Sequence, residues 1–273
     1  MRILVTNDDG ITAPGIELLA RLASARGEVW VVAPDAERSG VSHAITLYRP
    51  LRIHEVAKHR FTCDGTPTDC VYLAINQMGL RPDLVLSGIN AGPNLAHDVL
   101  YSGTVSAALE AAHWGVPSVA LSHCAGDTRL LARLPNVVDK ILDTVVPIAR
   151  KTRRAINVNL PSAAKLPYAG IRAARLGHRV YSNEVHERTD PRGRRYYWIG
   201  GAKVQMNDIP GSDCNAVRDN FVSVTPLGDD LTLYKELPET GAMLDSISDM
   251  PLGIDAPQAD SDGAPALPGI PFE

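Results

Sequence analysis

Basic charge and aromatic rings are both scarce in this chain. Its 273 residues carry 27 Lys and Arg against 31 Asp and Glu, a formal net charge of -4, and only 5% aromatics. That balance excludes a broad basic nucleic-acid surface and offers no run of stacking platforms, so DNA binding is not expected. No stretch approaches the ~20 apolar residues that span a bilayer, so no membrane association is expected. The opening Met1-Arg2-Ile3-Leu4-Val5 runs straight into Asp8-Asp9 without a leader-like apolar region. The four cysteines, Cys63, Cys70, Cys124 and Cys214, form no C-x-x-C pair and no finger-type spacing with histidine. They read as buried free thiols, a zinc site is unsupported, and the expected compartment is the cytoplasm. There is no internal repeat, no G-x-x-x-x-G-K-[ST] and no strand-to-helix G-x-G-x-x-G, which disfavours P-loop and dinucleotide enzymes.

What is present is alternation. Ile3-Leu4-Val5 reads as a buried strand that stops in the turn Thr6-Asn7-Asp8-Asp9-Gly10. Ile16, Leu18, Leu19, Leu22 and Ala23 follow at helical spacing up to Gly27, and Val29 to Ala33 is a second strand. A βαβ unit implies a parallel sheet with a right-handed crossover. The pattern continues with a strand at Asp83–Ser87, a helix from Thr104 to Trp114 and a strand from Ser118 to Ser122. A helix from Pro135 to Lys151 and a strand from Ile156 to Leu160 complete it. The fold class is therefore α/β, a doubly wound, mostly parallel sheet over roughly residues 1–160. Residues 169–176 and 220–226 read as later strands. Between them, Asp190-Pro191-Arg192-Gly193 with β-prone flanks predicts a long hairpin over about 180–200. A lone two-stranded hairpin is marginally stable, so it is expected to pack on another subunit. One domain is expected over 1–235, with an extension over 236–273 whose Pro- and Gly-rich last ~20 residues are poorly ordered and not catalytic.

Ligands of open α/β sheets bind beyond the carboxyl ends of the strands, which singles out four loops: 6–10, 34–42, 87–104 and 122–126. In the first, Asp8 and Asp9 place two negative charges side by side, a costly arrangement without a cation. Hard oxygen donors suit Mg²⁺, Mn²⁺ or Ca²⁺. Asp8 could equally cap the helix that follows or close a turn. The second loop, with Ser39, Gly40 and Ser42, can wrap an anion or be an ordinary turn. In the third, Asn90 and Asn94 can ligate or hydrogen-bond a ligand. Ser102-Gly103-Thr104 precedes a predicted helix, where phosphate is favoured and where Ser102 or Thr104 can also cap. His43 and His97 are loop candidates for a general acid, though a lone histidine is more often a surface residue.

Taken together, several blocks in register resemble the SurE family of survival-protein nucleotidases. They are Val5–Gly10 with Ala13-Pro14-Gly15, Val32–Asp35 with Arg38-Ser39-Gly40, Gly65–Val71, Ser87–Asn94, Tyr101–Val105 and Val222–Leu227, spanning about residues 1–235. The resemblance implies a Rossmann-like fold and a homodimer or homotetramer that exchanges a hairpin or C-terminal element. It also implies removal of phosphate from nucleoside 5′- and 3′-monophosphates. One divalent cation per subunit is implied, Mg²⁺ or Mn²⁺ with Ca²⁺ as another occupant, on Asp8, Asp9, Ser39 and Asn90. The phosphate neighbourhood falls on Asn7, Gly40, Ser42, Asn94, Ser102, Gly103 and Thr104, with Asp8, Asp9 and Asn94 as the catalytic set. Broader action on small phosphoesters or polyphosphate, and nucleotide binding without turnover, are the alternatives. Two positions depart from the family pattern. Ala96 replaces the glycine of Asn-x-Gly-x-Asp, which predicts a differently shaped loop because alanine takes positive φ less cheaply than glycine. Cys214 follows Gly211-Ser212-Asp213 where phenylalanine is common.

Overall fold

The computed structural model describes residues 1–182, 185–200 and 204–245 and divides into two compact units, Met1–Asp229 and Asp230–Glu273. The tail 251–273, expected to lack order, lies outside the described residues.

The first unit is built on one nine-stranded sheet. In chain order its early elements are β1 (Arg2–Thr6), α1 (Pro14–Ala23), β2 (Glu28–Pro34), β3 (Ile53–Ala57), β4 (Arg60–Cys63) and α2 (Pro67–Asn76). There follow β5 (Leu84–Ala91), α3 (Gly103–His113), β6 (Ser118–His123), α4 (Pro135–Thr152), β7 (Ala155–Leu160) and β8 (Gly170–Ala173). The later elements are β9 (Arg179–Tyr181), β10 (Val185–Thr189), β11 (Arg195–Ile199), β12 (Val204–Met206), α5 (Asp213–Arg218) and β13 (Phe221–Leu227). The strand order is β3-β4-β2-β1-β5-β6-β7-β13-β8. Strands β4, β2, β1, β5, β6 and β7 run parallel, β3 pairs antiparallel with β4, and β13 antiparallel with β7. The sheet grows outward from β1 through β2, then restarts on β1's other side with β5. The switch point of the sheet is therefore the β1–β5 boundary, where such folds open a crevice at the strand ends.

Alternation along the strands sorts the core into two layers. Ile3 and Val5 of β1 join α1 and α4 in one buried cluster, whereas Leu4 joins Val32, Val85, Val71 and Ala107 beneath α2 and α3 on the other face. Three helices, α1, α2 and α4, begin with proline in the first turn, where the missing N–H costs nothing.

The expected elements of the sheet are present, with differences. The segment 53–76, for which the apolar pattern predicts no element, supplies β3, β4 and α2. The helix signal there is chemical rather than periodic: Thr66 and Asp69 form a reciprocal capping box. Strand β5 continues to Ala91, beyond the predicted end at Ser87, with a register shift against β6 between Ser87 and Asn90. Gly88 makes this irregularity feasible. Its φ is +130°, and a Cβ there would stand 2.3 Å from the Leu121 carbonyl oxygen. Strand β8 is shorter than the predicted 169–176. The single hairpin expected over 180–200 is two strand pairs, β10 with β11 and β9 with β12, the latter reaching Met206. The tip is set by Asp190, whose Oδ1 accepts the backbone N–H groups of Arg192 and Arg194 at 2.8 and 2.9 Å. Every residue of β10 and β11 is exposed, including Tyr196, Tyr197 and Trp198.

The second unit contains α6 (Leu237–Asp245), preceded by a hydrogen bond from the Tyr234 phenol to Asp230. Among the described residues no helix is long and apolar enough to cross a membrane.

Leu86 is fully buried in the middle of β5. Leu86→Ala is expected to lower the unfolding free energy by about 2–5 kcal/mol, read as a fall in urea midpoint at constant slope. A loss below 1 kcal/mol would show that the sheet centre can collapse around the void.

Candidate functional site

The β1–β2–β5 strand ends open into a cavity of about 460 Å³. Its wall includes Asp8 and Asp9 after β1, Glu37, Ser39 and Gly40 after β2, and Asn90 and Ala91 at the end of β5. Asn94, Asp98, Tyr101 and Ser102 from the next loop and Tyr181 of β9 complete it. Of the residues singled out from sequence, Asp8, Asp9, Ser39, Gly40, Asn90, Asn94 and Ser102 border the cavity together. Asn7, Ser42, Gly103 and Thr104 are not part of its wall.

Asp8 is 4% exposed. The first helix takes Ala13 as its N-cap without any side-chain bond, so the helix-capping reading of Asp8 does not hold. Instead its Oδ1 accepts the Thr104 hydroxyl. Gly103 lies against it, since a Cβ there would come 2.9 Å from the Asp8 Cβ. Burial pushes the Asp8 carboxyl above its ordinary value, an effect only partly offset by the Thr104 bond. Burial, then the neighbouring Asp8 charge, pushes Asp9 up to about 6. Asp9 accepts the Ala91 backbone N–H at 3.3 Å. Glu37, which sequence reasoning missed, adds a third carboxylate and accepts the Ser39 hydroxyl at 3.0 Å. Among the described residues no Lys or Arg borders the cavity. The nearby Arg38 is turned to Asp35 and to the Asp64 carbonyl oxygen.

Oxygen donors dominate this wall. Among the described residues no three His, Cys, Asp or Glu side chains group as a metal cluster, so a cation here would draw on hydroxyl, amide or water oxygens as well. Asn90 commits its Nδ2 to the Gly92 carbonyl at 3.0 Å, which leaves Oδ1 as the end available to a cation. Two adjacent carboxylates, Asp8 buried and Asp9 partly so, beside a hydroxyl and an amide oxygen, fit a hard divalent cation.

The anion side is built differently. Ser102 caps α3 by accepting the Val105 N–H at 3.1 Å, and a hydroxyl that accepts there still has its own proton to give. Asn94 is held from behind. Its backbone N–H donates to Asn159 Oδ1 at 2.8 Å, and its carbonyl accepts Asn157 and Asn159 Nδ2 at 2.8 and 3.0 Å. Its own Nδ2 gives one N–H to Ser122 Oγ at 2.8 Å, leaving the second for a ligand. Asn7 donates to the Gly10 carbonyl at 2.9 Å and shapes the β1 turn. Ser42 ties its loop to the Leu100 carbonyl at 2.5 Å and the Tyr101 carbonyl at 3.0 Å. His43 bonds Glu110 at 2.9 Å, and neither His43 nor His97 borders the cavity.

The two departures from the family pattern meet in space. Ala96 adopts the left-handed geometry even without being glycine, at φ 55°. Its N–H donates to Asp213 Oδ2 at 2.9 Å, and its side chain shares a small buried cluster with Leu95, Cys214 and Val217. Left-handed backbone at a non-glycine residue costs about 1–2 kcal/mol, which this bond and this packing offset.

A family model described as survival protein SurE matches residues 3–183. The 5′-nucleotidase SurE of Myxococcus xanthus is 50% identical over 241 residues, covering 87% of this chain and 91% of its own length. That of Gemmatimonas aurantiaca is 48% identical over 238 residues, covering 85% and 94%. The crystal structure of the SurE protein from Aquifex aeolicus aligns with a TM-score of 0.76 at 37% identity, over 90% of this chain and 100% of that one.

The raised Asp9 pKa makes a stability prediction for the metal-free protein. Folding favours the protonated form, so in EDTA the thermal midpoint should fall as pH rises from about 4 to about 6, with no further fall from this group above that. Asp9→Asn should flatten that slope and melt higher than wild type at pH 7.5. An unchanged slope would assign the effect elsewhere.

Proposed function

The chain belongs to the SurE family, and from that membership we propose that it is a divalent-cation-dependent phosphomonoesterase acting on nucleoside 5′- and 3′-monophosphates. The observation that carries the reading is the cavity's division into a hard-oxygen half and a hydrogen-bond-donor half. A phosphate monoester brings up to two negative charges, and the carboxylates of Asp8, Asp9 and Glu37 would repel it without a cation between. Asp8, Asp9, Ser39 and Asn90 would hold one such ion, Mg²⁺ or Mn²⁺, with Ca²⁺ able to occupy the same donors. When bound, that ion polarises a phosphoryl oxygen and lowers the pKa of a water. Thr104 fixes the Asp8 carboxylate by donating to Oδ1. Asn94 and Ser102 offer N–H and O–H donors to the charge that spreads over the phosphoryl oxygens, the kind of preorganised donor worth roughly 3–4 kcal/mol when removed. The backbone clamp on Asn94 keeps its donor in place during turnover.

The same proposal includes a homodimer or homotetramer in which the β10–β11 hairpin or the C-terminal element packs on a neighbouring subunit. It is supported by the exposed Tyr196, Tyr197, Trp198 and Ile199 on a two-stranded ribbon that is marginal alone. All four cysteines are unbridged, which suits a reducing compartment such as the cytoplasm.

Inorganic phosphate release from a panel of nucleoside monophosphates, with Mn²⁺, with Mg²⁺ and with EDTA, tests the activity. Release is expected with metal and not with EDTA, and Asp9→Asn should lower kcat by at least about 100-fold in a folded protein. Turnover that survives both EDTA and the substitution would overturn the cation assignment. Sedimentation at micromolar concentration is expected to give a dimer or larger. A monomer would refute the hairpin packing.

A further inference from the structure

One part of the cavity wall is left unused by phosphoryl chemistry. Tyr181, the last residue of β9, borders the cavity beside Asp98 and Tyr101. Its phenol donates to Asp98 Oδ1 at 2.6 Å. The other oxygen of Asp98 is taken by the Arg179 guanidinium, which also lies over the Tyr181 ring, 5.3 Å from its centroid. His97 meets the same ring near-perpendicular, with centroids 6.2 Å apart. The ring is thus held at its hydroxyl, over one face by Arg179 and by His97, yet it is 40% exposed. Arg179 itself is 8% exposed, so the scaffold behind the ring is built into the protein. A flat apolar surface fixed in advance loses little entropy when a ligand covers it, and stacking on such a ring tolerates any base because every base has a π-face.

We propose that Tyr181 is the platform on which the base of the nucleotide substrate stacks. Asp98 and Arg179 are positioning residues that fix the platform. The inference rests on the nucleoside-monophosphate phosphomonoesterase reading and adds the residue that meets the base. It also explains why the base of the β9–β12 ribbon is tied to the 3-10 turn Ala96–Leu100 through Asp98: the ribbon brings the platform to the phosphate site.

The test is the ratio of kcat/KM for a nucleoside 5′-monophosphate to that for propyl phosphate, which has no ring to stack. Wild type should strongly prefer the nucleotide. Tyr181→Ala should lower the ratio roughly ten-fold or more, the scale of one base–aromatic contact, chiefly through KM for the nucleotide. Tyr181→Leu, which keeps bulk on β9 without a flat face, should show the same fall. Tyr181→Phe should stay within about three-fold of wild type. A ratio unchanged in Tyr181→Ala and Tyr181→Leu overturns the proposal, whether their activities fall uniformly or not at all. Phosphate release by wild type with no preference for the nucleotide overturns it while leaving the phosphomonoesterase reading intact. Release from neither substrate removes both.

Discussion

Two carboxylates stand next to one another in the chain, at the end of the strand where the sheet reverses its direction of growth, and one of them is almost wholly buried. Their mutual repulsion and lost hydration are what the surrounding structure is arranged to manage. Thr104 donates to Asp8, Gly103 leaves room for it by having no side chain, and Ala91 gives a backbone N–H to Asp9. None of these supplies positive charge. The carboxyls therefore remain above their ordinary pKa values, and a nearby positive charge would bring them down.

Behind the donor half lies a second polar investment. β7 is buried along its whole length, yet it carries Asn157 and Asn159, both fully buried. Buried amides cost stability unless bonded, and these two spend their donors on one carbonyl, that of Asn94. The result is a loop residue held as firmly as a residue of the sheet. Apolar residues on β7 would give a drier core but would leave the Asn94 backbone without partners where the cavity needs it fixed.

Much of the fold was legible because its elements announce themselves locally. The alternation of apolar runs with helical spacing from Ile3 to Leu160 is a direct consequence of burying strands between helix layers. The resemblance over long blocks added the ordering of the loops around one site. What escaped was structure whose signal is not periodic. The helix Pro67–Asn76 is marked by its capping box more than by an apolar stripe. The strands β3 and β4 are partly exposed at the sheet edge, so their pattern is weak. Glu37, Asp98 and Tyr181 were missed as cavity residues because each lies in a stretch that reads equally well as a solvated turn, a loop or a strand of a hairpin. At Ala96 the local cost of positive φ for alanine is outweighed by tertiary contacts with Asp213 and the Cys214 cluster.

The sequence by itself determined the parallel α/β core and the loops that must lie at its active edge, since both follow from periodicity and from where turn residues interrupt it. It also determined that two adjacent acids open that edge. Only the tertiary structure decided that Thr104 serves Asp8 rather than standing at the cavity, and that Asn94 is clamped from a strand more than sixty residues away. It likewise decided that a tyrosine from the ribbon closes the wall. The reason is physical: a side chain's role depends on which polar groups it meets once water is removed, and those meetings join segments far apart in the chain.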